Sequence, residues 1–233
     1  MNNENNKSLK SKFFLIPIVY YICLWAVWAA YTLLLRPVIC DALGEENFIS
    51  SFLRSGIIKN IVWTLPAALL IVKFRENCMV SLKNMFTKIN PDWKSYLLIF
   101  PFFILFVGIS SFRNFGGLHI SESFGIDEII TVIFVGLTEE LVFRGWLLNS
   151  SVNENSSQKQ QYIAIAINAV MFLCIHFPIW ILEGRFVSSF TSLGFLTIIV
   201  LSAVFSIVFV KTKNIILPIT LHMFWDLLVF IFG

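Results

Sequence analysis

Charge is scarce in this chain. Only 13% of its 233 residues are charged, whereas 58% are hydrophobic and the mean hydropathy is +0.82. A soluble domain carries roughly twice that share of charge, and no polar stretch here is long enough to fold alone, so a separate soluble module is excluded. The four cysteines, Cys23, Cys40, Cys78 and Cys174, form no C-x-x-C pair, which argues against a thiolate zinc site and a disulfide framework. There is no H-E-x-x-H, Walker loop, dinucleotide fingerprint or internal repeat, so nothing points to nucleotide-driven transport. The net charge of +3 gives no sign of a nucleic-acid partner, and the basic residues read instead as topology signals.

What the chain has in abundance is apolar sequence of spanning length, which needs about 20 residues per crossing. Such runs occupy Phe13 to Leu35, Ile57 to Val72, Tyr96 to Phe112, Ile126 to Leu148, Tyr162 to Leu182, Phe190 to Val210 and Ile215 to Phe232. They predict an all-α fold: a polytopic membrane helix bundle of about seven transmembrane helices, forming one integral membrane domain over 1–233 with a motif-bearing core at about 126–232. The first run is too long for a signal-peptide core and lacks a small-x-small cleavage site, so it reads as an uncleaved span. Eleven Lys and Arg fall on the N-terminal side of the expected membrane and five on the other (Arg36, Arg54, Lys59, Arg113 and Arg185). A cytoplasmic N-terminus in a multi-pass cell-membrane protein follows. Leu82, Met85, Phe86 and Ile89 recur at helical spacing, as do Phe48, Ile49, Phe52 and Leu53, the pattern of short amphipathic helices at the membrane interface. The stretch from Asn149 to Gln161, rich in Asn, Ser and Gln, reads as an exposed cytoplasmic loop.

Chemistry concentrates in the run G-L-T-E-E-L-V-F-R-G-W-L-L from Gly136 to Leu148. A charge near the bilayer centre costs roughly 2.5 to 3.5 kcal/mol on insertion scales, so three in one span must face protein or a hydrated cavity. Positions four apart share a helix face, so Glu140 is expected to pair with Arg144, leaving Glu139 free for chemistry. The alternative is a buried ion network that only fixes helix positions. Two further spans carry polar groups at comparable depth: Phe172 and His176 in F-L-C-I-H, followed by Pro178, and His222 and Asp226 in H-M-F-W-D. Singly, a histidine on an apolar face is a structural hydrogen-bonder. Convergence of three spans points to water activation, with a carboxylate as general base beside neutral imidazoles. A second arrangement stays open, in which Glu139, His176 and His222 are three ligands of a divalent metal such as zinc. His119, near Gly116 and Gly117, reads as solvated.

Together, E-E-x-x-x-R at Glu139, Glu140 and Arg144 with the following Gly145, F-x-x-x-H at Phe172 and His176, and H-x-x-x-D at His222 and Asp226 resemble the CPBP intramembrane proteases, related to the type II CAAX prenyl endopeptidase. The resemblance covers about the last hundred residues, and Asp226 departs from the family's usual Asn. It implies a membrane endopeptidase with a cavity opening toward the cytoplasm and a peptide or membrane-protein substrate. It also implies Glu139 as base, His176 assisting the water, His222 and Asp226 stabilising the oxyanion, and Glu140 with Arg144 supporting the site. Members are discussed as both glutamate-dependent and metal-dependent, and bacterial relatives are linked to peptide maturation and bacteriocin self-immunity. The competing reading is a non-enzymatic immunity or scaffold protein, or a proton-coupled carrier using the same carboxylates.

Overall fold

In the computed structural model, residues 2–44, 47–192 and 194–233 are described, and no strand occurs among them. Among the described residues, five helices are long and apolar enough to cross a membrane: α1 (Leu15–Leu43), α2 (Phe48–Lys73), α4 (Asp92–Phe115), α6 (Gln158–Leu182) and α8 (Gly194–Thr212). Between them lie the short α3 (Leu82–Thr87) and α7 (Phe186–Thr191). The two other expected runs are also helical. α5 (Ile126–Glu140) continues through wide π-type turns over Leu141–Leu148 and carries the three charges, and α9 (Ile216–Phe232) has 17 residues. Leu193, within the expected run from Phe190 to Val210, lies outside the described residues.

Local chemistry sets the ends. α1 runs past Leu35 to Leu43 and stops at Gly44, whose φ of 81° is a left-handed conformation that glycine adopts without a side-chain penalty. Asn47 then starts α2 by accepting the Ser50 N–H on its side-chain oxygen. The second span therefore begins at Phe48 and not near Ile57. Phe48, Ile49, Phe52 and Leu53 are its first turns, not a separate interfacial helix, because the helix continues unbroken through Gly56 into the apolar run.

Trp63, Ala67 and Ile71, spaced by four along α2, are buried against Val142, Phe143 and Trp146 of the α5 extension. Outward-facing side chains such as Leu34, Leu69, Phe102 and Phe112 are exposed and apolar, the surface a bilayer requires. α3 does more than lie at an interface. Met85 is fully buried, and its carbonyl accepts the Ile215 N–H at the start of α9. Asn149, expected in an exposed loop, is also fully buried. Its side-chain amide bonds both the N–H and the carbonyl of Val80, satisfying a backbone segment that has no helix of its own. α5 packs along α9 and the first half of α2, and α6 packs along α8, so the motif-bearing helices are neighbours.

Candidate active site

Close helix approach builds the site. A Cβ at Gly136 would lie 2.6 Å from Met223 Cγ, so this glycine lets α9 sit directly on α5. That contact brings His222 to the two carboxylates one turn further on. Glu140 Oε1 accepts hydrogen bonds from Arg144 Nη1 and His222 Nδ1, both at 2.8 Å. Arg144 is itself pinned, donating from Nη2 to the Ser202 carbonyl at 2.9 Å and hydroxyl at 2.8 Å, with its guanidinium over the Phe172 ring. Glu140 and Arg144 are wholly buried. His222 Nε2 then points to Asp226 Oδ2 at 3.4 Å and Glu139 Oε2 at 3.9 Å.

Glu139 is not free. Its Oε1 accepts a 2.6 Å hydrogen bond from Lys59 Nζ, and both side chains are only 7% exposed. In the sequence Lys59 falls at the start of the run from Ile57 to Val72 and counts with the basic residues on the side opposite the N-terminus. Because α2 starts at Phe48, Lys59 lies inside the helix, with its ammonium 4.6 Å from the Trp63 ring centroid and 5.7 Å from that of Trp28. Two cations, Lys59 and Arg144, thus balance Glu139 and Glu140. Moving a proton between His222 and Asp226 leaves the net charge of the cluster unchanged.

His176 reaches the site through a break in α6. Pro178 has no N–H, so the carbonyl four residues back, on Cys174, loses its helical partner. Trp25 Nε1 of α1 supplies the missing donor at 2.8 Å. At the break, His176 caps the short helix Phe177–Leu182, and its Nδ1 lies 2.7 Å from the Phe172 carbonyl. A carbonyl can only accept, so Nδ1 carries the hydrogen, and in the neutral ring Nε2 keeps its lone pair.

Glu139, His176 and Lys59 line one cavity of about 310 Å³, together with Arg36, Arg54, Thr131 and Phe230. A larger groove of about 550 Å³ between α1 and α6, bordered by Asn168 and Met171, contains no motif carboxylate or imidazole. The site cavity is lined by residues of α1, α2, α5, the end of α6 and the end of α9.

The alternative metal set is Glu139, His176 and His222. Among the described residues, no group of three or more His, Cys, Asp or Glu side chains is arranged to hold a metal ion. Next to Glu139 Oε1 stands an ammonium group, which would repel a divalent cation at that oxygen. Lys59, Ser202 and Trp25 were not singled out from the sequence. Only Lys59 left a signal, the Asn47 helix start that places it inside a span. His119 is exposed and packs on Phe115, away from the cluster.

Residues 122–228 match the family model described as type II CAAX prenyl endopeptidase Rce1-like. No curated protein and no solved structure matches the chain.

Proposed function

We propose, from the match of residues 122–228 to that family model, that this chain is an intramembrane endopeptidase of the CPBP family using a carboxylate and no metal. The observation that carries the reading is that Glu139 and His176 line the same cavity, with His222 Nε2 3.9 Å from Glu139 Oε2.

With Oε1 engaged by Lys59, Oε2 is the oxygen left to receive a proton from water. The water lies between Glu139 Oε2 and His176 Nε2 and attacks the peptide carbonyl carbon. The new O–C bond pushes the π pair onto the carbonyl oxygen, and the water proton goes to Glu139. Glu139 then returns that proton to the amide nitrogen as the C–N bond breaks, releasing acid and amine. General base action of this kind contributes ~10²–10⁴ in rate, and a pre-set oxyanion donor a further ~10²–10³. Lys59 and His222 are the donors nearest Glu139 for that second task. Glu140 is a positioning residue, fixing the His222 ring while Arg144 ties it to α8.

Purified protein in lipid vesicles, offered a mixture of membrane-anchored peptides, tests this. Cleavage should persist in 1,10-phenanthroline and fall by at least ~10²-fold in Glu139→Gln and in His176→Ala, with melting temperature reported for each. Wild-type turnover in both variants refutes the role given to these side chains.

A further inference from the structure

Away from the catalytic cavity, one groove combines positive charge with an apolar wall. Three links meet at the end of the bundle where α2 finishes and α9 begins: residues 73–94, 149–161 and 211–215. They carry eight Lys and Arg against three acidic residues, Glu76, Asp92 and Glu154. Two of those acids already have cations, Glu76 with Arg75 at 3.0 Å and Glu154 with Lys213 at 2.6 Å. The third, Asp92, is exposed. At this end a groove of about 390 Å³ lies between the starts of α4 and α9. Lys88, Asn90 and Asn214 stand at its rim, with the partly exposed Trp93 beside them. Leu97 and Phe100, on the following turns of α4, and Leu217 of α9 form the wall further along.

The rim is fastened from both sides. Asn90 donates its side-chain amide to the Lys211 carbonyl at 3.0 Å, and Asn214 donates its own to the Lys88 carbonyl at 2.6 Å, tying together segments more than a hundred residues apart. Asn214 also caps α9, its side-chain oxygen accepting the Ile216 N–H at 2.8 Å. The backbones of Lys88 and Lys211 are thus held at the groove while both residues stay exposed. By contrast, the larger groove between α1 and α6 is lined by no charged residue.

We infer that the groove between α4 and α9 binds an anionic phospholipid, its phosphate against Lys88 and Lys211 and one acyl chain along Leu97, Phe100 and Leu217. Basic side chains next to a membrane span attract anionic headgroups, and an indole such as that of Trp93 suits the level between headgroup and chain. The apolar wall takes the chain, which a soluble phosphate lacks. The site stands whichever leaflet it faces, and whether or not the protein cuts a peptide.

Native mass spectrometry of the purified protein, titrated in detergent with phosphatidylglycerol or with phosphatidylcholine of the same chains, tests this. One phosphatidylglycerol should bind at least ~10-fold more tightly than phosphatidylcholine. Lys88→Gln/Lys211→Gln should weaken it about 25-fold, roughly fivefold for each ammonium withdrawn from the phosphate. Lys73→Gln/Lys159→Gln removes the same charge from exposed positions at the same end but outside the groove, and should change binding less than about twofold. Leu97→Trp, which narrows the groove and leaves its lysines in place, should weaken binding as well. Equal affinity for the two lipids, or equal loss in the two lysine pairs, means diffuse attraction to a basic surface and overturns the proposal. Glycerol 3-phosphate displacing the lipid mole for mole overturns it too, since recognition would then stop at the phosphate.

Discussion

Replacing Lys59 with methionine keeps most of the side chain's bulk and removes its charge, leaving Glu139 in an apolar bundle without its cation. The N–O separation is 2.6 Å and both side chains are 7% exposed. At an effective dielectric of about 20 the attraction is about 6 kcal/mol before desolvation is counted. Deleting one member of a buried pair costs about 3–5 kcal/mol, because the remaining charge stays desolvated. For a chain of this size each kcal/mol moves the melting temperature by roughly 2–4 °C, so Lys59→Met should melt about 6–20 °C lower. The second arm is the double variant Lys59→Met/Glu139→Gln. Replacing both ions is often neutral, so it should regain most of the loss and give a coupling energy of about 2 kcal/mol or more. Tryptophan fluorescence of purified protein in one detergent, followed through heating, reads all the variants, with Glu139→Gln closing the cycle. A Lys59→Met protein within about 1 kcal/mol of wild type, or a double variant no more stable than Lys59→Met, refutes the reasoning.

Three further outcomes follow from other contacts. Gly136→Ala should cost about 1–3 kcal/mol by forcing α5 and α9 apart at Met223, and peptide turnover should fall more than stability does, because His222 rides on α9; parallel turnover and melting curves check this. Trp25→Phe keeps an aromatic ring but withdraws the donor to the Cys174 carbonyl, so a loss of about 1–3 kcal/mol is expected, against no change if that carbonyl needs no partner. Burial pushes the Cys78 thiol up to about 11, so its alkylation in the folded protein should rise about tenfold per pH unit between pH 7 and 10, as its thiolate fraction does; a rate that levels off near pH 8.5, where an ordinary thiol titrates, contradicts this.

The legibility of this molecule tracks the cost of misplacing each residue. Glu139, Glu140 and Arg144 stand out because charge inside an apolar run is expensive, and the i, i+4 rule alone pairs the last two. His176 and His222 gain weight from sharing that depth. The helical runs are legible from length and hydropathy, although five meet the full requirement for a span, one carries the three charges and another is short. Lys59 escaped notice for a specific reason. A run that begins at Ile57 leaves the lysine at its edge, where it counts with the flanking charges, whereas the Asn47 cap starts the helix early enough to put it well inside. Asn149 was read by composition as loop, yet its amide satisfies the backbone of Val80, a partner 69 residues away that no local pattern announces. The same holds for Ser202 under Arg144 and Trp25 beneath the Pro178 break: each answers an unsatisfied polar group created elsewhere in the chain.

The central claim is that Glu139 activates water to cut a peptide bond, and the most direct measurement is mass spectrometry of membrane-peptide termini from cells making wild-type protein or Glu139→Gln. One precursor should accumulate uncut in the variant, and its new C-terminus should appear only with the wild type. Identical termini from the two, with both proteins present at equal levels in the membrane, would contradict the claim.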